Sequence, residues 1–441
     1  MIAARVCALV LAAVASTSVA ATDRKATVSV ADILNADSPT CGIQEAIDAL
    51  PATGGVVTVP PGTYCIRQAI RLRSHVTLRG AGSTSVLTRG KQVAAKLTKP
   101  GRKGETSIEV ESTAGFRPGD EVALMANRMH GWYLPHCIVK AVEPTRLTFE
   151  QPIRSGHKEG IFRPERKAVA INYFPFIIGH RHCPDKPTVE DVAVLDLTFD
   201  SNLKENPGPW GDFTLAAIHF AGVSDSLVRG CIVRGSVGDG IGVQGGHDNR
   251  VEGCLVEHCR GHGFHPGTTL RGAVFANNIG RHNGGDGLYF CWQVVGITVT
   301  NNLFHGNKAS GIGGLGEGGT GGDRFNVVAN NVCRHNGRWG IRAFKGHDNV
   351  ITGNVCLDNS QSKPGLYSGI HVSDTTRTLV SGNRCGADSD KPTQKLGIEE
   401  CGASDANVIT GNQCTGNIAG GIAIVGKTTQ ASANVGTIVR K

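Results

Sequence analysis

The 441-residue chain has 3 methionines and only 5% aromatic residues, and beyond residue 20 no stretch approaches 18 uninterrupted apolar positions. That last absence excludes a transmembrane helix outside the extreme N-terminus. Charge is sparse as well: Asp, Glu, Lys and Arg make up 19%, and 45 cations against 37 anions leave a formal +8 with no basic cluster. A nucleic-acid partner is therefore not expected, and an anionic partner is only mildly favoured. Cys-x-x-Cys spacing is missing, the nearest pair being Cys254 and Cys259, so a tetrahedral zinc cage finds no support. The glycine run Gly313 to Gly319 has no Gly-Lys-Ser/Thr after it, which removes a phosphate loop and leaves a bulged surface loop. Glycine itself is plentiful, 60 residues, but it follows no three-residue period, so collagen is excluded.

The N-terminus opens Met1-Ile2-Ala3-Ala4-Arg5, runs through apolar Val6 to Val14, and reaches Ser18-Val19-Ala20, with small residues at the −3 and −1 positions of a cut. This reads as a secretory signal peptide over residues 1–20, predicting a secreted or periplasmic protein. Removing Cys7 with it leaves 13 of the 14 cysteines in a compartment that permits disulfides. The number is odd, so at least one thiol stays free or pairs between chains.

From residue 217 onward a small residue followed by an aliphatic or Phe recurs at Ala217-Ile218, Gly240-Ile241, Gly263-Phe264, Gly287-Leu288, Gly311-Ile312, Gly340-Ile341, Gly369-Ile370, Gly397-Ile398 and Gly421-Ile422. A second column runs in register with it: Gly253-Cys254, Asn277-Asn278, Asn301-Asn302, Asn330-Asn331, Gly353-Asn354, Gly382-Asn383 and Gly411-Asn412. A period near 24, built from short β-branched runs and Gly/Asn corners without helical periodicity, predicts an all-β parallel β-helix in which each coil buries its apolar side only against its neighbours. The asparagines read as a stacked amide corner. Cys333, Cys356, Cys385 and Cys414, two residues further on, read as inward-facing small hydrophobes. Upstream, Ile43, Ala46, Ile47 and Leu50 keep helical spacing before Pro51, predicting a short capping helix over 41–50.

The segments "IQEAIDALPATGGVVTVPPGTY" and "VTLRGAGSTSVL" resemble the N-terminal part of the pectate-lyase-like right-handed β-helix superfamily. The resemblance is close over residues 41–88 and rests on repeat type alone from about 166 on. It implies a right-handed solenoid and a polysaccharide-directed role, since that superfamily holds lyases, polygalacturonases, epimerases and tailspikes. Residues 98–165 break the coil pattern with alternating strands around Arg117-Pro118-Gly119-Asp120, predicting an inserted β subdomain. The chain then divides into cap and first coils (21–97), insertion (98–165) and coils (166–441). His130, Trp132, Tyr133 and His136 in the insertion could form a sugar-stacking lip or fill the subdomain's own core.

If the aliphatic of each repeat points inward, the next residue points outward. That outward column is His219, Gly242, His265, Tyr289, Gly313, Arg342, His371, Glu399 and Ala423. Imidazole, phenol and guanidinium replace the usual Thr, Ser, Lys and Glu, and the glycines would leave room for a ligand. The corner column adds Asp239, His262 and Asp286, two carboxylates bracketing an imidazole, unless the aspartates only cap turns. Gly261-His262-Gly263, with Gly238-Asp239-Gly240 one coil earlier, partly resembles polygalacturonases. In that family's pattern, however, Gly238 stands in place of an Asp, Leu215-Ala216-Ala217 replace an Asn-Thr-Asp rung, and only Arg342-Ala343-Phe344-Lys345 approximates the Arg-x-Lys element.

Two enzymatic readings follow. β-Elimination on an acidic polysaccharide would use His265 or Tyr289 for proton transfer and Arg342 for a carboxylate. Glycoside hydrolysis would use Asp239, His262 and Asp286. His219, Trp292, Lys345, His371 and Glu399 extend the groove as substrate contacts. A third reading is a non-catalytic sugar- or metal-binding rod, in which His258, His282, His305 and His335 line one edge as in proteins resembling NosD-type copper handlers. No cofactor is expected: Ca2+ is conceivable, but only Glu399 with Glu400 offers clustered carboxylates. No membrane partner is expected, and a homotrimer is compatible with the rod.

Overall fold

A computed structural model describes residues 26–33, 35, 37–127, 131–154, 160–179, 188–208, 212–316 and 322–441. The leader over residues 1–20, Cys7, His130, the Tyr133 side chain and Glu317 to Gly319 lie outside the described residues.

Three long parallel sheets of 13, 12 and 11 strands run the length of the chain. Each coil contributes one short strand to each sheet, and each strand pairs with its counterpart one coil later, as in Ile218↔Ile241↔Phe264↔Leu288↔Ile312↔Ile341↔Ile370↔Ile398↔Ile422. The nine rungs expected of this sheet are present. Ile70–Arg71 and Ile177–Ile178 precede them and Ile438–Arg440 follows, strands of two or three residues without the small-aliphatic signature. The helix covers Ile43–Asp48, with Ile43, Ala46 and Ile47 buried against the first coils.

The interior is a single stack of aliphatics and phenylalanines in which Cys333, Cys356, Cys385 and Cys414 lie in register and buried. All twelve described cysteines are free thiols. The asparagine column divides its labour: Asn277, Asn301 and Asn330 take left-handed corners (φ 58, 56 and 57), while the following residue builds the ladder. Asn278 Nδ2 donates to Asn302 Oδ1 at 3.0 Å, Asn302 to Asn331 at 2.9 Å, and the chain continues through Asn354, Asn383, Asn412 and Asn434. A second ladder, which the repeat reading passed over, links Asn283, Asn307, Asn336, Asn359, Gln394 and Asn417. Each buried amide thereby satisfies both its own polar atoms and the backbone at a corner that water cannot reach.

Between Ser85–Arg89 and Ile177–Ile178 the chain leaves the rod to form a six-stranded antiparallel sheet spanning Ala94 to Ile171, with its own apolar core around Val110, Val122, Val139 and Phe149. Arg89 marks the junction. It is almost fully buried, donates to the carbonyls of Phe174 (2.7 Å) and Asn172 (3.3 Å), and lies 4.7–5.8 Å from the rings of Tyr173, Phe174 and Phe176.

Candidate active-site groove

The twelve-stranded sheet carries the outward column, and the strands hold it in register: His219↔Gly242↔His265, Tyr289↔Gly313 and Arg342↔His371↔Glu399. Two clusters form along it.

The first centres on Asp239. This carboxylate has no exposed surface; Oδ2 lies 2.6 Å from His265 Nδ1 and Oδ1 accepts the His262 N–H at 2.6 Å. Burial alone would push its pKa up, but the His265 hydrogen bond and the two neighbouring imidazoles pull it below the ordinary Asp value. For His265, burial pushes the pKa down, and the Asp239 bond and charge, with Cys291 adding to them, win and raise it to about 10. His265 is therefore an imidazolium at neutral pH. Its Nε2 is buried without a nitrogen or oxygen partner, Cys291 being the other group that bonds the ring. The close approach demands Gly261, where a Cβ would meet Asp239 Oδ1 at 2.0 Å.

Beside this pair, the His262 ring stacks on Tyr289, centroids 4.3 Å apart and 11° from parallel, and the His265 ring meets Tyr289 edge-on at 5.2 Å. His262 Nδ1 accepts the Asp286 N–H at 3.0 Å, so the neutral ring carries its proton on Nε2. In that tautomer the 3.3 Å approach of Asp286 Oδ2 to the same nitrogen is a contact without a hydrogen bond. Asp286 Oδ1 instead accepts from the Ser310 N–H at 2.6 Å. The Asp286 carboxylate also occupies the space over Gly313, where a Cβ would lie 2.6 Å from Oδ2. This corrects one expectation: Gly313 makes room for a protein carboxylate, whereas at Gly242 a Cβ would make only ordinary contacts with His219 and Ala216.

The insertion closes over the same end. Asp212 Oδ1 caps the turn Phe213–Leu215 through the Thr214 N–H, and its Oδ2 accepts the Gly131 N–H at 2.7 Å. This ties the Gly131–Tyr133 turn to the rod and sets the Trp132 ring 5.2 Å from Phe213 and 5.7 Å from His219. Phe213 in turn lies 5.5 Å from His265. His219, expected to contact substrate, is 1% exposed beneath this aromatic roof, so it supports Trp132 instead. His136 is half-buried, 3.6 Å from the Glu121 carboxylate.

The second cluster begins two strands further on. Arg342 lies 5.1 Å from the Trp339 ring and 4.7 Å from Phe344, and Lys345, at an exposed left-handed corner, places its ammonium 4.8 Å from the Phe344 ring. Trp339 packs on Tyr367 (4.6 Å) and His371 (5.0 Å). His371 Nε2 is 3.7 Å from Cys401 Sγ, and its Nδ1 is 3.7 Å from Glu399 Oε2, too far for a hydrogen bond. Glu399 is held by Ser368 Oγ at 2.8 Å and by the Lys395 ammonium, and these with His371 outweigh its burial and bring its pKa to about 2. The Cys401 thiol is shifted below the ordinary range, chiefly by its bond to His371. Trp292 stands apart at a left-handed corner, half exposed.

The carboxylate pair considered for Ca2+ does not exist as a cluster: Glu400 turns into the coil, where Asn407, Thr429 and the N–H groups of Val425 and Gly426 occupy both oxygens. The edge of four imidazoles also departs from expectation. His258 and His282 stack at 5.4 Å and His305 meets His282 at 5.1 Å, but His305 sits one residue earlier in its strand and His335 turns to Asp388, 3.2 Å away. Phe213, Tyr367, Cys291 and Cys401 were not singled out from the sequence, and only the Asp212-x-Thr214 capping pattern hinted at the first.

The family described as right handed beta helix region matches residues 196–321, and that of the periplasmic copper-binding protein NosD matches residues 282–435. No curated protein matches the chain significantly. Among solved structures, the A-module of mannuronan C-5 epimerase AlgE4 from Azotobacter vinelandii shares 17% identity over 91% of this chain and 99% of that one, with a TM-score of 0.57. A Family 28 exopolygalacturonase from Yersinia enterocolitica shares 14% over 94% and 76% (TM-score 0.59). The surface protein and adhesin PfbA from Streptococcus pneumoniae shares 14% over 94% and 100% (TM-score 0.56). Two enzymes and an adhesin share these coils, so the likeness speaks to architecture and leaves chemistry to the side chains. The chain has the architecture of a right-handed parallel β-helix.

Proposed function

We propose that the protein is an exported enzyme that cleaves an acidic polysaccharide by β-elimination in the groove around His265 and Tyr289. The observation that carries this reading is the buried Asp239–His265 ion pair, which keeps an imidazolium beside a phenol. Elimination next to a uronate carboxylate needs positive charge on that carboxylate, a base for the proton on the adjacent carbon, and an acid for the departing oxygen. His265, enclosed beneath the groove, supplies the positive charge without touching the sugar. Tyr289, as phenolate, takes the proton; the electron pair forms the carbon–carbon double bond, the glycosidic C–O bond breaks, and the phenol returns the proton to the leaving oxygen. Asp239 never meets substrate in this scheme; it positions His265 and keeps it charged.

Arg342 lies two strands from Tyr289, roughly 10 Å along the rod, so it pairs with the carboxylate of a neighbouring sugar unit. Trp132 at one end and Trp339 at the other offer faces for sugar rings. Hydrolysis through an Asp239/Asp286 pair finds less support, because Asp239 is fully enclosed and both its oxygens are engaged. Export to the periplasm or beyond agrees with the leader-like N-terminus and with the periplasmic description of the NosD family.

The test is incubation with pectin, alginate, glycosaminoglycans and neutral glycans, following reducing ends and the absorbance of unsaturated uronates, with Tyr289→Phe and His265→Gln alongside. Reducing ends and absorbance appearing together, and vanishing in both variants, support the proposal. Reducing ends without absorbance would mean hydrolysis, and silence on every glycan a binding rod.

A further inference from the structure

Away from the groove, the strands Val332–Arg334, Val355–Leu357 and Arg384–Gly386 stack in register, with Arg334↔Leu357↔Gly386. The corner just beyond them brings His335, Asp358 and Asp388 together. His335 and Asp358 occupy equivalent left-handed positions (φ 51 and 42) on adjacent coils, and Asp388 comes from the loop that lengthens the third. One donor atom from each of the three lies within 4.8 Å of the other two. His335 Nε2 approaches Asp388 Oδ1 at 3.2 Å.

The decisive member is Asp358. Its side chain is 1% exposed, and Oδ2 accepts from the Asp388 N–H and the Ser389 hydroxyl, both at 3.0 Å. Oδ1 is buried and has no hydrogen-bond partner. A carboxylate oxygen without a partner in a dry corner is costly, and two carboxylates converge here with Arg334 as the nearby cation. One further positive group at this point would satisfy the oxygen and balance the charge.

We propose that His335, Asp358 and Asp388 form a binding site for a divalent transition-metal cation. The donor set of one imidazole nitrogen and two carboxylates suits a borderline first-row ion completed by water, and is poorer for Ca2+, which takes oxygen alone. Such an ion would clamp the 387–393 loop to the corner of the coil beneath it. The site is independent of the groove, and it uses one histidine of the imidazole edge with two aspartates in place of the other three. The Asp225, His247 and Asp248 group, equally close-set but exposed and without a buried unpartnered oxygen, serves as the internal comparison.

The experiment titrates the full, metal-stripped protein with Co2+, following d–d absorption together with the thiolate-to-cobalt charge-transfer band that binding at the free cysteines would produce. The expected result is one saturable site without the thiolate band, weakened at least tenfold in both His335→Ala and Asp388→Asn and unchanged in His247→Ala. Asp388 lies on the loop surface, so its variant should remain folded, which circular dichroism checks. Excess Co2+ should also raise the unfolding midpoint of the parent protein and leave that of Asp388→Asn in place. Absence of saturable binding up to millimolar Co2+, a thiolate band at saturation, or equal affinity in the two variants and the parent would each overturn the assignment.

Discussion

Replacing Asp239 by Asn removes the charge that keeps His265 protonated while keeping the side chain's shape. In the parent protein, the His265 pKa rises from 6.5 to about 10 because the buried carboxylate outweighs desolvation, and Asp239 falls below 3.8 for the reciprocal reason. The raised His265 value stabilises the fold fully below pH 6.5, and that contribution disappears as the pH climbs to about 10. The depressed Asp239 value contributes above 3.8 and is lost as the pH falls through its folded value. The ion pair is thus at full strength between about 3.8 and 6.5. At about 1.4 kcal/mol per pH unit, the rise from 6.5 to about 10 amounts to roughly 5 kcal/mol. With Asn at 239, His265 keeps the desolvation and the smaller Cys291 contribution but loses the bond and charge that chiefly hold its proton. Urea unfolding of parent and Asp239→Asn at half-unit steps should show a stability difference largest near pH 5 to 6, shrinking by about 1.4 kcal/mol per unit above pH 6.5. A difference that stays flat from pH 6.5 to 10 would refute the imidazolium, and with it the role given to His265.

Other consequences are equally direct. Asn331→Leu removes a fully buried amide whose Nδ2 serves Val299 O and Asn354 Oδ1 and whose Oδ1 serves Asn302; the orphaned partners predict a loss of about 3 to 6 kcal/mol in unfolding free energy, and a loss under 1 kcal/mol would mean the ladder is dispensable. Cys401, lowered by His371, should react with iodoacetamide at pH 7 faster than exposed Cys65, and His371→Ala should abolish the difference in mass-spectrometric labelling; equal rates in the parent contradict the pairing. Trp132→Ala should raise KM several-fold while leaving kcat within about threefold, because the ring stands over the groove without touching the reacting atoms; a matching fall in kcat would place it in the chemistry.

How much was legible in the sequence depends on periodicity. The small-aliphatic column and the Asn column carry a period near 24 in plain letters, so the solenoid, its inward cysteines and its outward column could be read directly. Rungs such as Ile70–Arg71 and Ile177–Ile178 escaped because two-residue strands have no pattern of their own and take their register from neighbours. The second amide ladder escaped because its members vary in spacing where the coils carry loops, as between Asn359 and Gln394. Strand alternation placed His265, Tyr289 and Arg342 on one face but said nothing of depth. His219 is on that face and is nonetheless roofed, because Trp132 arrives from an insertion some ninety residues earlier in the chain. Glycine gaps were ambiguous for the same reason: only the Asp286 side chain, reaching from another coil, decides that Gly313 is filled.

The central claim is tested most directly by single-substrate turnover on a polyuronate with both signals recorded together, in the parent protein and in Tyr289→Phe. The account predicts unsaturated-product absorbance rising in step with reducing ends in the parent, and both lost by at least a hundredfold in Tyr289→Phe while its circular dichroism is unchanged. Reducing ends that accumulate without absorbance, or a Tyr289→Phe variant with parental rates, would contradict it.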